Sequence, residues 1–240
     1  MLVREDRPAP VLTLSWALIL AALAVLPTPV QAAGTKEVTR SKSINAAGVA
    51  SVVLPAGVGD VRIEQGSGEL IEARVTLRPQ RAMSFFGSQP DLEQLDIAAT
   101  IRGDQLTLDV DAKNIEEDWV VTLPKTLLSA LEVKVGVGDV RVSAPARRIK
   151  VDVGVGDVDI DVPSGAVALQ VGTGDAAIRM PASSAGSIVG RTGVGGVTLR
   201  GFEGSVKSAT VGGSASGKGR GQQPIEARVG VGDLQIELTD

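Results

Sequence analysis

Histidine, cysteine and tyrosine are absent from this sequence, so an enzyme built from it would have to work with carboxylates, Lys and Arg alone. The carboxylates that recur at a fixed spacing are Asp139, Asp157 and Asp175, each closing a Gly-x-Gly-Asp segment. Stacked along one edge, they would lie about 5 Å apart, and like charges that close need an offset. Backbone amides of the turns can supply it. So can calcium, which takes about six to eight oxygens, and these three aspartates are the calcium candidates. The calcium-binding β-roll also has a coil of about 18 residues, but it uses G-G-x-G-x-D-x-U-x nonapeptides. Here Asp directly follows the second Gly and one such turn occurs per coil. Amide capping without a metal is therefore the favoured reading, and no cofactor is expected.

Other chemistry-bearing patterns have plainer explanations. Asp157, Asp159 and Asp161 resemble the carboxylate face of polysaccharide-cleaving β-helices, yet Arg141 and Arg179 stand 18 residues from Asp159 and Asp161 and account for them as ladder pairs. Gly212-x4-Gly217-Lys218 approaches a phosphate loop, but Gly219 stands where Ser or Thr should hold magnesium, and no helix former follows. Arg102-Gly103-Asp104 spells an adhesion tripeptide between two alternating runs, where a Gly-Asp turn is expected anyway. A net charge of −4 argues against a nucleic-acid partner.

The elements that position these residues are repeats. GVGD occurs at 57–60, 136–139, 154–157 and 230–233, with variants GTGD at 172–175 and GVGG at 193–196 and a degenerate GGSA from Gly212. From Gly136 the spacings are 18, 18, 21, 19 and 18, the signature of a repeat architecture. Each turn is flanked by apolar–polar alternation, as in Ile149-Lys150-Val151-Asp152-Val153 before it and Val158-Asp159-Ile160-Asp161-Val162 after it. That is strand periodicity. The fold class is therefore all-β: a parallel β-solenoid with coils of about 18 residues, two short strands per coil joined at GVGD turns. Parallel stacking places Glu132 beside Lys150, Lys134 beside Asp152, Arg141 beside Asp159 and Asp161 beside Arg179, four opposite-charge pairs that an antiparallel sandwich would have no reason to produce. The structural turn residues are Gly136, Gly138, Asp139, Gly154, Gly156, Asp157, Gly172, Gly174, Asp175, Gly230, Gly232 and Asp233. Both glycines of each turn are expected to supply angles closed to other residues. With aromatics at 2%, the core must be thin and aliphatic.

Residues 1–32 read as an export signal: an apolar run from Val11 to Leu26, then Pro27 and Pro29, and Val30-Gln31-Ala32 at the cleavage position. No later segment is long and apolar enough to span a membrane after cleavage. Export without disulfides fits a bacterial periplasm or cell surface. Residues 33–130 read as irregular N-terminal strands of the solenoid, with an inserted loop at 78–94 that carries Phe85 and Phe86, and residues 131–240 as regular repeats. Ser205–Pro224 reads as a weak rung or a bulge. The rung Ile225–Leu238 is expected to end the stack with an edge that is either open to self-association or strand addition or covered by Arg78–Gln94 or Ser205–Pro224.

The spaced V-x-V-G-x-G-D units, the leader and Leu123-Pro124 ahead of the regular coil together resemble the bacterial envelope β-strand-repeat proteins grouped as a putative adhesin family, toast-rack-like in shape, over residues 40–240. That resemblance carries over no catalytic residue, and the partner expected is an envelope or surface protein or glycan. A non-enzymatic, adhesin-like surface is the function expected. The alternative is a carbohydrate-active enzyme on a β-helix scaffold using carboxylates.

Overall fold

Alternation with β-branched residues at the inward positions drives this chain into strands. The computed structural model describes residues 37–80, 91–201, 203–207 and 212–240, and these are all-β apart from a 3-10 turn at Leu92–Gln94. The N-terminal region supplies β1 (Val38–Asn45), β2 (Ser51–Val58), β3 (Val61–Gln65), β4 (Leu70–Pro79), β5 (Ala98–Arg102), β6 (Gln105–Asp109) and β7 (Ile115–Leu123). The repeats supply β8 (Leu128–Val137) and β9 (Val140–Val142), β10 (Ala146–Val155) and β11 (Val158–Asp161), β12 (Ala166–Thr173) and β13 (Ala176–Pro181), and β14 (Ala185–Val194) and β15 (Val197–Arg200). Then follow β16 (Glu203–Lys207), β17 (Ser214–Lys218), β18 (Gln223–Val231) and β19 (Leu234–Thr239).

These strands form two mostly parallel sheets. One has the order β1-β4-β7-β3-β9-β11-β13-β19-β15, the other β16-β17-β14-β18-β12-β10-β8-β2-β6-β5. Each Gly-x-Gly turn carries the chain from the second sheet to the first, so a rung is one strand from each. Val133 lies opposite Val151, and Val151 opposite Leu169. On the outer faces Glu132 lies opposite Lys150, Lys134 opposite Asp152, Arg141 opposite Asp159, and Asp161 opposite Arg179. Lys150 reaches Glu132 at 3.0 Å and Asp152 at 3.2 Å, while Lys134 turns to Glu132 at 2.9 Å. Hydrogen bonds from Lys134 first, then Lys150, hold the Glu132 carboxyl below its ordinary range.

Rung order departs from sequence order in two places. The β2/β3 rung stacks directly on β8/β9, with Val52 opposite Leu131 and Val61 opposite Val140. The chain between them closes that end: β7 runs parallel to β3, β4 and β1 follow antiparallel, and β6 and β5 extend the other sheet. The second departure overturns an expectation. The last rung in sequence, β18/β19, is not the last in space; it lies between β12/β13 and β14/β15. Both sides of β18 and β19 are paired, so this rung offers no edge for self-association. The insertion sets Arg228 opposite Arg191 on one sheet and separates two arginines on the other. Glu237 lies opposite Arg179 on one side and Arg200 on the other, whereas stacking β15 directly on β13 at the 21-residue spacing of their motifs would set Arg179 against Arg200. The Gly-rich stretch before it is no rung either. β16 and β17 pair antiparallel, and β17 lies antiparallel on β14, extending the second sheet.

The core is a double row of aliphatic side chains. Leu54, Val133, Val151, Leu169 and Ala227 from one sheet meet Ile63, Val142, Ile160, Ile178 and Ile236 from the other, all buried. At the β1 end the cap is polar on its backbone side. Arg40 donates to the carbonyls of Leu95 (2.8 Å), Leu92 (3.3 Å) and Glu93 (2.9 Å), and Lys42 to that of Ile97 (2.7 Å). Residues 91–94, part of the expected insertion, thus pack over the end, with Leu92 buried. Residues 1–36, which include the expected signal, and residues 81–90, with Phe85 and Phe86, lie outside the described residues.

Candidate functional site

The six Gly-x-Gly turns stack along one edge, and each position of the motif becomes a row. The first glycine faces outward in extended backbone, and its missing side chain is what lets adjacent rungs approach. A Cβ at Gly154 would lie 2.5 Å from the carbonyl oxygen of Gly136, and one at Gly193 2.6 Å from that of Gly230. Left-handed angles belong to the second glycine alone: φ is +144° at Gly138, +145° at Gly156, +139° at Gly174 and +137° at Gly232. The expectation of special angles at both glycines thus becomes two requirements, close approach at the first and conformation at the second.

Between the glycines stands a row of β-branched side chains, five valines and a threonine. In stacking order it runs Val58, Val137, Val155, Thr173, Val231 and Val194, in continuous register. Val137, Val155, Val231 and Val194 are 48–50% exposed. β-Branched residues suit the last pleat of a strand, but the result is an uncovered apolar crest.

The aspartates form the next row, and their hydrogen bonds run from rung to rung. Asp60 Oδ1 accepts from the amide of Asp139 (2.9 Å), Asp139 from Asp157 (2.9 Å), Asp157 from Asp175 (2.8 Å) and Asp175 from Asp233 (2.8 Å). Asp233 accepts from the amide of Gly196 at 2.7 Å. Gly196 is the substituted position of the GVGG variant, on the last rung to have such a turn, so no further amide calls for a carboxylate there. At the opposite end Asp118 Oδ1 accepts from the Asp60 amide at 3.1 Å, and Arg78 bonds Asp118 at 2.5 Å. Asp139, Asp157 and Asp175, the calcium candidates, thus sit in line, with one oxygen of each bonded to the next turn. Among the described residues, no group of three or more acidic side chains is placed to hold a metal ion.

Two depressions flank the crest. On the first sheet a groove of about 910 Å³ follows the aspartate row and is lined also by Arg62, Arg141 and Arg179. On the second a smaller one of about 570 Å³ runs along Gly57, Gly136 and Gly154, beside Lys134 and Asp152. The arginines of the larger groove have partners: Arg62 pairs with Glu64, Arg141 with Asp159 at 3.6 Å, and Arg179 with Asp159 at 2.9 Å and Asp161 at 3.9 Å. Asp159 and Asp161 are therefore committed to these ladders. Arg102-Gly103-Asp104 is the hairpin between β5 and β6, with Gly103 at φ +64° and the Asp104 carbonyl accepting from Ala50 and Ser51. Ser214–Lys218, inside the phosphate-loop resemblance, is strand β17 and not a helix start.

Sequence reasoning missed Asp118 as a member of the row, because it lies mid-strand with no glycine near it. It also passed over the valine crest, whose signal is the x of every motif. One buried carboxylate was missed as well. Glu117 points into the core, 5% exposed, and accepts from Trp119 Nε1 at 3.0 Å. Burial raises its pKa, the indole bond opposes this, and the charge of Asp109 adds to it.

Residues 28–179 match the family described as the N-terminal domain of toast_rack, DUF2154. The chain belongs to the toast_rack N-terminal domain family. No curated protein matches it. Among solved structures, a putative cell adhesion protein from Clostridium sporogenes ATCC 15579 is similar at 19% identity with a TM-score of 0.58, over 85% of this chain and 100% of that one. A putative adhesin from Bacteroides fragilis NCTC 9343 matches at 14% identity and a TM-score of 0.39, over 84% of this chain and 97% of that one. The first likeness is one of fold. Among the described residues of this toast_rack member, no helix is long and apolar enough to cross a membrane.

Proposed function

We propose that the chain is an exported, non-enzymatic protein of the bacterial envelope whose rigid β-solenoid presents a repetitive surface to a protein or glycan. In this reading residues 1–32 are the signal, residues 33–130 an irregular beginning of the solenoid, and residues 131–240 its regular coils of about 18 residues. The observation that carries it is the commitment of the outer carboxylates. Asp159 and Asp161 are held by Arg141 and Arg179, and Glu132 by two lysines, so the outer faces are ladders that stiffen a surface. The Clostridium protein of similar fold, described as a putative cell adhesion protein, supports an adhesin-like role. The GVGD glycines and aspartates are structural in this reading.

Two measurements test it. Mass spectrometry of the mature N-terminus should find Ala33, following cleavage after Ala32; intact Met1 in a membrane fraction refutes the leader. Crosslinking in intact cells, followed by purification of the chain, should capture an envelope protein or glycan. Recovery from the cytoplasm without a surface partner refutes the binding role.

A further inference from the structure

The motif edge combines three rows in fixed register: bare glycine backbone, an uncovered valine crest and a line of carboxylates. Exposed apolar ridges bounded by polar groups mark interaction sites. From Val58 to Val194 the crest has five rung steps of about 4.8 Å, about 24 Å in all. An extended chain of about seven residues spans the same length.

The charges select the occupant. Asp139, Asp157, Asp175 and Asp233 are exposed and line the groove, and each spends Oδ1 on the next rung's amide, leaving Oδ2 outside that bond. The arginines opposite are already held by Glu64, Asp159 and Asp161. The edge is thus an apolar line beside an acidic line whose carboxylates at Asp139, Asp157, Asp175 and Asp233 accept from amides and pair with no basic side chain. The same edge of a second copy would bring carboxylates against carboxylates. Anionic nucleic acids and lipids meet the same repulsion, and the rows along this edge present no aromatic ring on which a sugar could stack.

We propose that the valine crest and aspartate row form a docking surface for an extended cationic polypeptide segment that carries apolar side chains. The proposal rests on the surface-binding role argued above and names the surface and the chemistry of its partner. Lysine or arginine of the segment meets the free Oδ2 atoms, and its apolar side chains cover the crest and the glycine trench. Because the carboxylates recur at five of the six turns, the segment binds by several similar contacts, and affinity falls steeply with salt.

The test uses the mature chain and an end-blocked, fluorescein-labelled peptide of alternating Lys and Val, about seven residues long, followed by fluorescence anisotropy. Its partners are a Lys-only peptide and a Glu-Val peptide of equal length. Asparagine keeps a carbonyl oxygen to accept the next rung's amide and replaces the charged Oδ2 by a neutral, donating NH2, so D139N/D157N/D175N can keep the turn bonds. That variant should melt close to the parent and bind the Lys-Val peptide roughly tenfold more weakly or worse. V137T/V155T keeps the β-branching already present at Thr173 and should weaken binding severalfold. Raising ionic strength to about 1 M, where the Debye length is about 3 Å, should abolish it. Equal affinity for the Glu-Val peptide, or unchanged binding by the Asn variant, overturns the proposal. Equal affinity for the Lys-only peptide removes the crest from it. A dimer of the parent chain that V137T/V155T dissolves would assign the crest to a second copy instead. Failure here, with a partner still captured in cells through another face, would sink this surface and spare the binding role.

Discussion

The two requirements on the motif glycines can be separated by substitution. Gly48 lies at φ +82° with open space where a Cβ would be, whereas Gly156 lies at φ +145° and its Cβ would overlap the carbonyl oxygen of Gly138. Gly48→Ala therefore measures a left-handed angle alone, about 1–2 kcal/mol. Gly156→Ala adds a steric conflict with backbone that cannot rotate away. The turn must reroute, and two bonds run through it: Gly156 N to Thr173 O at 2.9 Å and Asp157 N to Asp139 Oδ1 at 2.9 Å. At about 1 kcal/mol each, with about 1–3 kcal/mol for a backbone region open essentially to glycine only, the cost is about 3–5 kcal/mol. That is a large part of the roughly 5–15 kcal/mol that stabilises a folded domain. Urea unfolding of both variants beside the parent, compared at equal m-value, gives the numbers. Gly156→Ala costing no more than Gly48→Ala would refute the close-approach argument, because neither the steric conflict nor the more restricted φ would then carry a measurable cost.

Other consequences are simpler to check. Val151 is fully buried, so Val151→Asp strands a charge in an aliphatic core and should cost on the order of 4 kcal/mol. Lys150→Glu, one residue away on the outer face, should shift the melting temperature far less. Because burial raises the Glu117 carboxyl above its ordinary range, the native state keeps a proton that the unfolded chain has released. Stability therefore falls as pH rises from the unfolded value through the folded one. Glu117→Gln keeps an acceptor for Trp119 Nε1, and its melting advantage over the parent should be larger at neutral pH than in acid; a constant difference would show that Glu117 does not titrate in that window. With each turn carboxylate bonded to the next rung's amide, a chelator should leave the melting temperature unchanged, and a rise of several degrees on adding calcium would contradict this.

What the sequence made legible was whatever repeats locally. The alternation around Val133, Val151 and Leu169, and the charge pairs such as Glu132 with Lys150, follow from a parallel register that any two adjacent rungs share. The stacking of Asp60 on Asp139 was hidden, because the partners are 79 residues apart and spacing carries no information across an excursion. Asp118 was invisible for a related reason: it reaches the row through the pairing of β7 with β3, a tertiary contact without a local motif. The turn itself was half read. Type alone says that glycine is permissive, whereas the need for a missing Cβ at Gly136, Gly154 and Gly230 arises from the preceding rung's carbonyl.

The inserted C-terminal rung was misread because spacing was taken for adjacency. From Gly172 the next motif in sequence is Gly193, 21 residues on, and a reader who trusts the period stacks them. The strand pairing is otherwise, with Glu237 between Arg179 and Arg200 and Arg228 between Gln170 and Arg191. A chain without cysteine allows a clean test by engineered disulfides, which need Cα atoms within about 4.4–6.8 Å. On the outer face of the second sheet Ala168 lies opposite Glu226, and Glu226 opposite Val189. Ala168→Cys with Glu226→Cys should crosslink on oxidation, and so should Val189→Cys with Glu226→Cys. Ala168→Cys with Val189→Cys should not, since an entire strand separates them by about 9–10 Å. Non-reducing electrophoresis after mild oxidation of each double variant reads the result. If the third pair closes and the first two stay open, β14 lies directly on β12, and the last rung returns to the end of the stack.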